Sequence, residues 1–203
     1  MTSVHDERGP PRLSELSPAQ AHELLRANPR LLLPVGTLVV RGAAVPMGAD
    51  SLIVDRVADD LSAKLRIVRA PTMPFGVHHR ADPDSPGSAS LTRKTLHRVI
   101  NELVAAWETE AKVRDFVILT THTADAHLEA LSTIRSDSTV QLIDIFRVAR
   151  SHPAGDTVPI AVPLLAFLRP DLVSASEPTK AQGRLAYHEI IDGLAAELTE
   201  QRN

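Results

Sequence analysis

Apolar residues along this chain alternate between short solid runs and stripes spaced by three and four. The run Leu31 to Val35, bounded by Pro29 and Gly36, has the pattern of a buried strand. Before it, SELSPAQAHELLRANP predicts a short helix, with Ser17 as its cap and Pro18 in its first turn. After it, SLIVDRVADDLSAKL sets Leu52, Ile53, Val57, Ala58 and Leu61 on one helical face, with Asp50 placed to cap the helix. A strand is expected around Leu65 to Ala70, then a long helix from Leu91 to about Lys112 carrying Leu96, Val99, Ile100, Leu103 and Trp107. FVILT, Phe116 to Thr120, reads as a central strand that turns at once into a helix over THTADAHLEALSTIR. Val140 to Phe146 predicts a further strand, PIAVPLLAFLRPDLV a buried helical or irregular segment, and AQGRLAYHEIIDGLAAELTEQ a closing amphipathic helix.

Strands alternating with helices imply an α/β protein of three layers, a mainly parallel central sheet with helices on both faces. Residues 1–12 read as a flexible arm and 13–203 as a single domain. In such folds ligands lie beyond the carboxyl ends of the strands. Gly36 to Asp50, the His78/His79 pair and His122 all fall there. The stretch PTMPFGVHHRADPDSPGSAS, dense in Pro, Gly, Ser and Asp, predicts a long loop of the kind that often carries function.

Composition narrows the classes. With 203 residues and 43% hydrophobic content the chain can bury one ordinary core. Its 22 Lys+Arg against 25 Asp+Glu include no basic block suited to a phosphate backbone, so nucleic acid is not an expected partner. The absence of cysteine excludes disulfides, thiolate metal ligands and a cysteine nucleophile. A charged, proline-bearing start lacks the apolar core of a signal peptide, and no apolar run reaches the ~20 residues of a membrane span, which leads to the expectation of a soluble, cytoplasmic protein. Aromatic content of 3% leaves little for a stacking platform.

Candidate chemistry is carried by Asp50, by His78 and His79 in the long loop, by His122, Asp125 and His127 after the central strand, and by His152 and Asp156 in SHPAGD. On a helix His122 and Asp125, three apart, converge, whereas His127, five from His122, points elsewhere. The bland alternatives are a helix cap at Asp50, Thr121 or Thr123 capping the next helix, and histidines on solvated surfaces. A catalytic metal site needs about three protein ligands, and no phosphate-binding glycine loop or nucleophile-elbow serine is present.

The segment LLLPVGTLVVRGAAVPMGAD resembles the first motif of the creatininase (creatinine amidohydrolase) family, approximately PxGSxEQHGPHLPLGTD. Pro34, Gly36, Gly42, Pro46, Gly48 and Asp50 fall in register. APTMPFGVHH with SPGSASLTRKTL, FVILTTHTADAHLEAL, LLAFLRPDLV and EPTKAQGRLAYHEIIDGLAAEL are similar to later family segments, so the likeness runs from about Leu31 to the end. It implies a three-layer α/β/α fold, two divalent metals at the strand ends, hydrolysis of C–N bonds in cyclic or linear amides, and a homo-oligomer, commonly a hexamer. Carried over residue by residue, the bridging aspartate corresponds to Asp50 and one histidine ligand to His122. The glutamate ligand falls on Val39, a histidine ligand on Arg41 and the motif's second histidine on Ala44. A later glutamate ligand falls on Ala161 and the glutamate before it on Pro159; aligning His152, Ala154, Gly155 and Asp156 with a gap puts Asp156 at that preceding position and still leaves no glutamate at the ligand position.

Arginine does not deprotonate in proteins, so Arg41 puts a fixed charge where a dication belongs, and it is expected to pair with Asp50 across the emptied site. The resemblance thus implies a degenerate member, a pseudoenzyme with vestigial residues Asp50, His122, Asp125 and Arg41 and no resident metal. Such a chain would act as a scaffold, a regulatory or assembly subunit beside a paralogue, or a binder of a small anionic metabolite that Arg41 grips bidentately. The alternative is an amidohydrolase with one divalent metal, zinc or manganese, on Asp50, His122 and either Asp125 or a loop histidine.

Overall fold

A computed structural model describes residues 9–41, 45–78, 87–149 and 160–201. Among these residues four parallel strands form one sheet in the order β2-β1-β3-β4. They are β1 (Arg30–Val35), β2 (Val68–Arg69), β3 (Asp115–Thr120) and β4 (Thr139–Asp144). Among the described residues six helices flank them: α1 (Pro18–Ala27), α2 (Ala49–Leu65), α3 (Arg93–Glu110), α4 (Asp125–Ser132), α5 (Ala161–Leu168) and α6 (Glu177–Glu200).

Every residue of β1 is buried, as a central strand covered on both faces requires. Leu31, Leu33, Val35, Phe116 and Ile118 face a layer that includes Leu25, Leu96, Ile100, Val104, Ala130 and Leu131 from α1, α3 and α4. Leu32, Val117, Leu119 and Ile143 face the opposite layer of α2, α5 and α6, with Ile53, Val57, Leu164, Ile190 and Leu194 among its members. This is the three-layer α/β architecture that the alternating pattern implies.

Several boundaries differ from expectation for local reasons. Ser17 caps α1 in a full capping box with Gln20. Asp50 does not cap α2: Gly48 takes that position, and Asp50 lies inside the first turn with its side chain buried. The second strand shrinks to two residues because α2 runs to Leu65 and ends on Arg66 in the left-handed conformation, φ 53°. β4 stops at Asp144, whose carboxylate accepts the Phe146 N–H at 2.9 Å and turns the chain into a 3-10 turn over Ile145–Val148. The helix expected directly after β3 begins only at Asp125. Its cap residue is Ala124, without a side-chain cap, so neither Thr121 nor Thr123 plays that part.

The arm expected over residues 1–12 is tied down at its described end. Pro11 is buried, its carbonyl accepts the Arg69 N–H at 3.0 Å, and Arg12 pairs bidentately with Asp59 at 2.9 and 2.7 Å.

Candidate functional site

Register brings the site together. Val35 of β1 is level with Thr120 of β3, and Thr120 with Asp144 of β4, so the segments that follow these strands leave the sheet at one end. Gly36 admits the start of α2 to that end. A Cβ there would lie 2.6 Å from Ser51 Cα and 2.8 Å from Ser51 N, so only glycine permits the approach that brings Asp50 against the strand ends.

Asp50 is 1% exposed. Its Oδ2 accepts the Thr37 hydroxyl and an Arg41 Nη2–H at 2.7 Å, and Thr121 Oγ1 donates to the Asp50 carbonyl at 3.3 Å. The contact expected between Arg41 and Asp50 is therefore present. The same Nη2 lies 2.7 Å from His122 Nδ1. A guanidinium nitrogen can only donate, so Nδ1 accepts and His122 is the neutral Nε2–H tautomer. The 3.4 Å approach of Nδ1 to Asp50 Oδ2 then joins two acceptors that share the two hydrogens of Nη2.

Burial pushes the Asp50 carboxyl toward its neutral form, but its polar surroundings, the Arg41 charge and hydrogen bond and the Thr37 hydroxyl among them, hold its pKa below the usual range. Asp50 Oδ1 and His122 Nε2 are buried without a hydrogen-bond partner.

Beneath His122 lies His127, fully buried, the two rings meeting edge to face with centroids 5.1 Å apart. The Val77 N–H donates to His127 Nδ1 at 3.1 Å, so its Nε2 carries the proton and meets Thr120 Oγ1 at 3.0 Å. Thr120 Oγ1 also accepts the His122 N–H at 3.2 Å. Burial, with His122 nearby and Asp50 opposing, lowers the His127 pKa from 6.5 to about 4.

The structure thus gathers Arg41, Asp50 and His122 into one cluster and leaves other candidates outside it. Asp125 is exposed in the first turn of α4; because His122 precedes that helix, the three-residue convergence does not occur. His78 is held through its backbone by Ser90, at 3.0 and 3.1 Å, and takes no part in the hydrogen bonds of the cluster. His79, Gly42, Ala44, His152 and Asp156 lie outside the described residues. His127, expected to point elsewhere, packs directly against His122. Thr37, Thr120 and Asp144 are not among the sequence candidates, and Thr121 is there only as a helix cap, although a hydroxyl or carboxyl residue at the end of each strand was the available signal. Asp144 sits beside Thr120 with its pKa raised, burial outweighing the Phe146 N–H and the Arg147 charge.

The profile of the family described as "Creatininase: Creatinine amidohydrolase" matches residues 14–184. The chain belongs to the creatininase family. Among solved structures it resembles one described as "Creatininase Mn", with a TM-score of 0.81 and 16% identity over 95% of this chain and 98% of that one. It also resembles a mutant creatininase of "Zn-Zn type", with a TM-score of 0.80 and 16% identity over 94% and 97%. A third likeness is to a putative creatinine amidohydrolase from Bacteroides fragilis, with a TM-score of 0.71 and 17% identity over 91% and 93%. At these identities the likeness establishes the fold. No curated protein matches the sequence.

A pair of divalent metals does not fit the residues present here. The facing lone pairs of Asp50 Oδ2 and His122 Nδ1 are both directed at a cation that the chain itself supplies. Among the described residues no group of three or more His, Asp or Glu side chains is placed to hold a metal ion. The expected bidentate grip of Arg41 on an anion is also corrected. Both two-pronged faces of a guanidinium include Nη2, and both Nη2 hydrogens are committed inside the cluster. Among the described residues one guanidinium balances one carboxylate in the cluster.

Proposed function

We propose that this creatininase-family chain has exchanged the metal-dependent amidohydrolase centre for an internal Arg41–Asp50–His122 cluster. It works as a non-catalytic scaffold, a regulatory or assembly subunit, or a binder of a small metabolite. The observation that carries the proposal is the single guanidinium nitrogen donating at 2.7 Å to both residues that correspond to family ligands. Two structures of the same fold are described as a manganese creatininase and a mutant creatininase of Zn-Zn type. Carrying that requirement to this chain meets a fixed positive charge and, among the described residues of the cluster, one carboxylate. Val39, which takes the place of a glutamate, offers no donor atom.

Backbone-shaping residues of the first motif, Pro34, Gly36, Pro46 and Gly48, are retained while ligand side chains are not, which suits a protein whose shape is used and whose chemistry is not. A homo-oligomer or a complex with a paralogous subunit, in the cytoplasm, is the setting proposed for residues 13–203 as one domain. A metabolite bound beside Arg41 would meet its Nε and Nη1, not an intact fork.

A second reading, a mononuclear amidohydrolase, is favoured by the buried acceptor Asp50 Oδ1, which has no hydrogen-bond partner. Metal content separates the two. After incubation with zinc or manganese and gel filtration, the protein is expected to retain less than about a tenth of an equivalent and to hydrolyse no cyclic or linear amide. One retained equivalent that His122→Ala abolishes would overturn the proposal in favour of the mononuclear enzyme.

A further inference from the structure

We propose that Arg41 is a tethered cation that performs the structural task of a metal ion, joining the segment after β1, the first turn of α2 and the end of β3 through one shared point. This rests on the function proposed above and deepens it: the site is filled by a permanent internal ligand.

The geometry of that point carries the inference. Nη2 lies 2.7 Å from a carboxylate oxygen and 2.7 Å from an imidazole nitrogen, the oxygen and nitrogen donors a borderline divalent cation prefers. Those two donors are 3.4 Å apart, close to the roughly 3.3 Å edge of a tetrahedral centre with bonds of ~2.0–2.1 Å. They are oriented toward each other by groups that do not depend on Arg41. The Thr37 hydroxyl holds Asp50 Oδ2, Thr121 Oγ1 holds the Asp50 carbonyl, and Thr120 Oγ1 holds the His122 N–H. The notch is built by the fold, and Arg41 enters it from a loop.

Charge agrees with geometry. A carboxylate 1% exposed requires a cation beside it, because an unpaired buried charge is strongly destabilising. With a single carboxylate in the cluster among the described residues, a monovalent guanidinium restores neutrality where a dication would leave excess positive charge. Arg41 reaches the notch with its side chain 32% exposed, so its shaft runs inward from the surface.

The notch should therefore accept a metal once the guanidinium is removed and a third donor supplied. The test compares wild type, Arg41→His and the double variant Arg41→His/His122→Ala, each incubated with zinc and gel-filtered, with zinc content and melting temperature as readouts. The expected result is about one zinc per chain in Arg41→His, a higher melting temperature with zinc than without, and loss of both effects in the double variant. A folded Arg41→His protein that retains no more zinc than wild type overturns the proposal and leaves the proposed function standing. Zinc retained by wild type at the Asp50–His122 pair overturns the proposed function itself. Should Arg41→His fail to fold, Arg41→Lys and Arg41→Gln decide. A tethered cation requires the Lys variant to keep a melting temperature near wild type and the Gln variant to lose it, and equal behaviour of the two overturns the proposal.

Discussion

His127 shows how far the interior moves a side chain from its ordinary chemistry. Its two nitrogens are engaged by Val77 and Thr120, and no solvent reaches it. The folded pKa of about 4 lies below the ordinary 6.5, so the unfolded state binds more protons between those values. Stability is present in full above about pH 6.5 and is lost as pH falls through about 4. Urea midpoints measured from pH 7 to pH 4 are expected to fall by the equivalent of up to about 3 kcal/mol from this residue. His127→Gln should flatten that slope, and an unchanged slope would remove His127 as its source. The pairing of Arg41 with Asp50 was legible in the sequence, because a lost ligand replaced by arginine leaves one charge seeking another. The partnership of His127 with His122 was not, because the helix starts at Asp125, four residues later than the sequence suggested, and five-residue spacing no longer applies.

At the scale of elements, α5 packs closely on α6 at Gly183. A Cβ on Gly183 would lie 1.7 Å from the Pro163 carbonyl oxygen, within backbone that cannot rotate away. Gly183→Ala gains helix propensity but must force the two helices apart, and is expected to cost about 2–3 kcal/mol net. Gly193→Ala, where the nearest atom is Val148 Cβ at 3.3 Å, should stay within about 1 kcal/mol of wild type. Equal effects in thermal unfolding would mean that the α5–α6 contact is looser than described. The existence and type of most elements were legible because stripes and runs are local properties. Their ends were not: β4 stops where the Asp144 carboxylate captures Phe146 N–H, a competition between side chain and ladder that hydrophobic periodicity does not register.

Across the whole molecule the two cores share one sheet, so neither layer can leave without exposing the other. A polar network ties the start of the chain to this body. Arg69, 4% exposed, meets Asp55 and lies 3.1 Å from Asp59, which also takes Arg12 bidentately. Asp59→Ala leaves a buried guanidinium short of a partner and is expected to destabilise the protein by roughly 2–4 kcal/mol. Arg12→Ala, whose side chain is 37% exposed, should cost about 1 kcal/mol or less. Urea unfolding of both variants checks the order, and a larger effect at Arg12 would show that the tether matters more than the buried charge.

The sequence by itself determined the alternation of strands and helices, the parallel sheet it implies, the family resemblance and the replacement of ligand positions by Val39 and Arg41. These depend on residue type and short-range spacing. Only the tertiary structure decided that one nitrogen of Arg41 serves Asp50 and His122 together, that His127 is neutral beneath them, and that Asp125 stays in solvent. Those outcomes depend on the register that sets Val35 level with Thr120, and on the close approach of α2 over Gly36. Distances between residues tens of positions apart follow from how strands pair and helices seat, and neither is written in any local stretch of the chain.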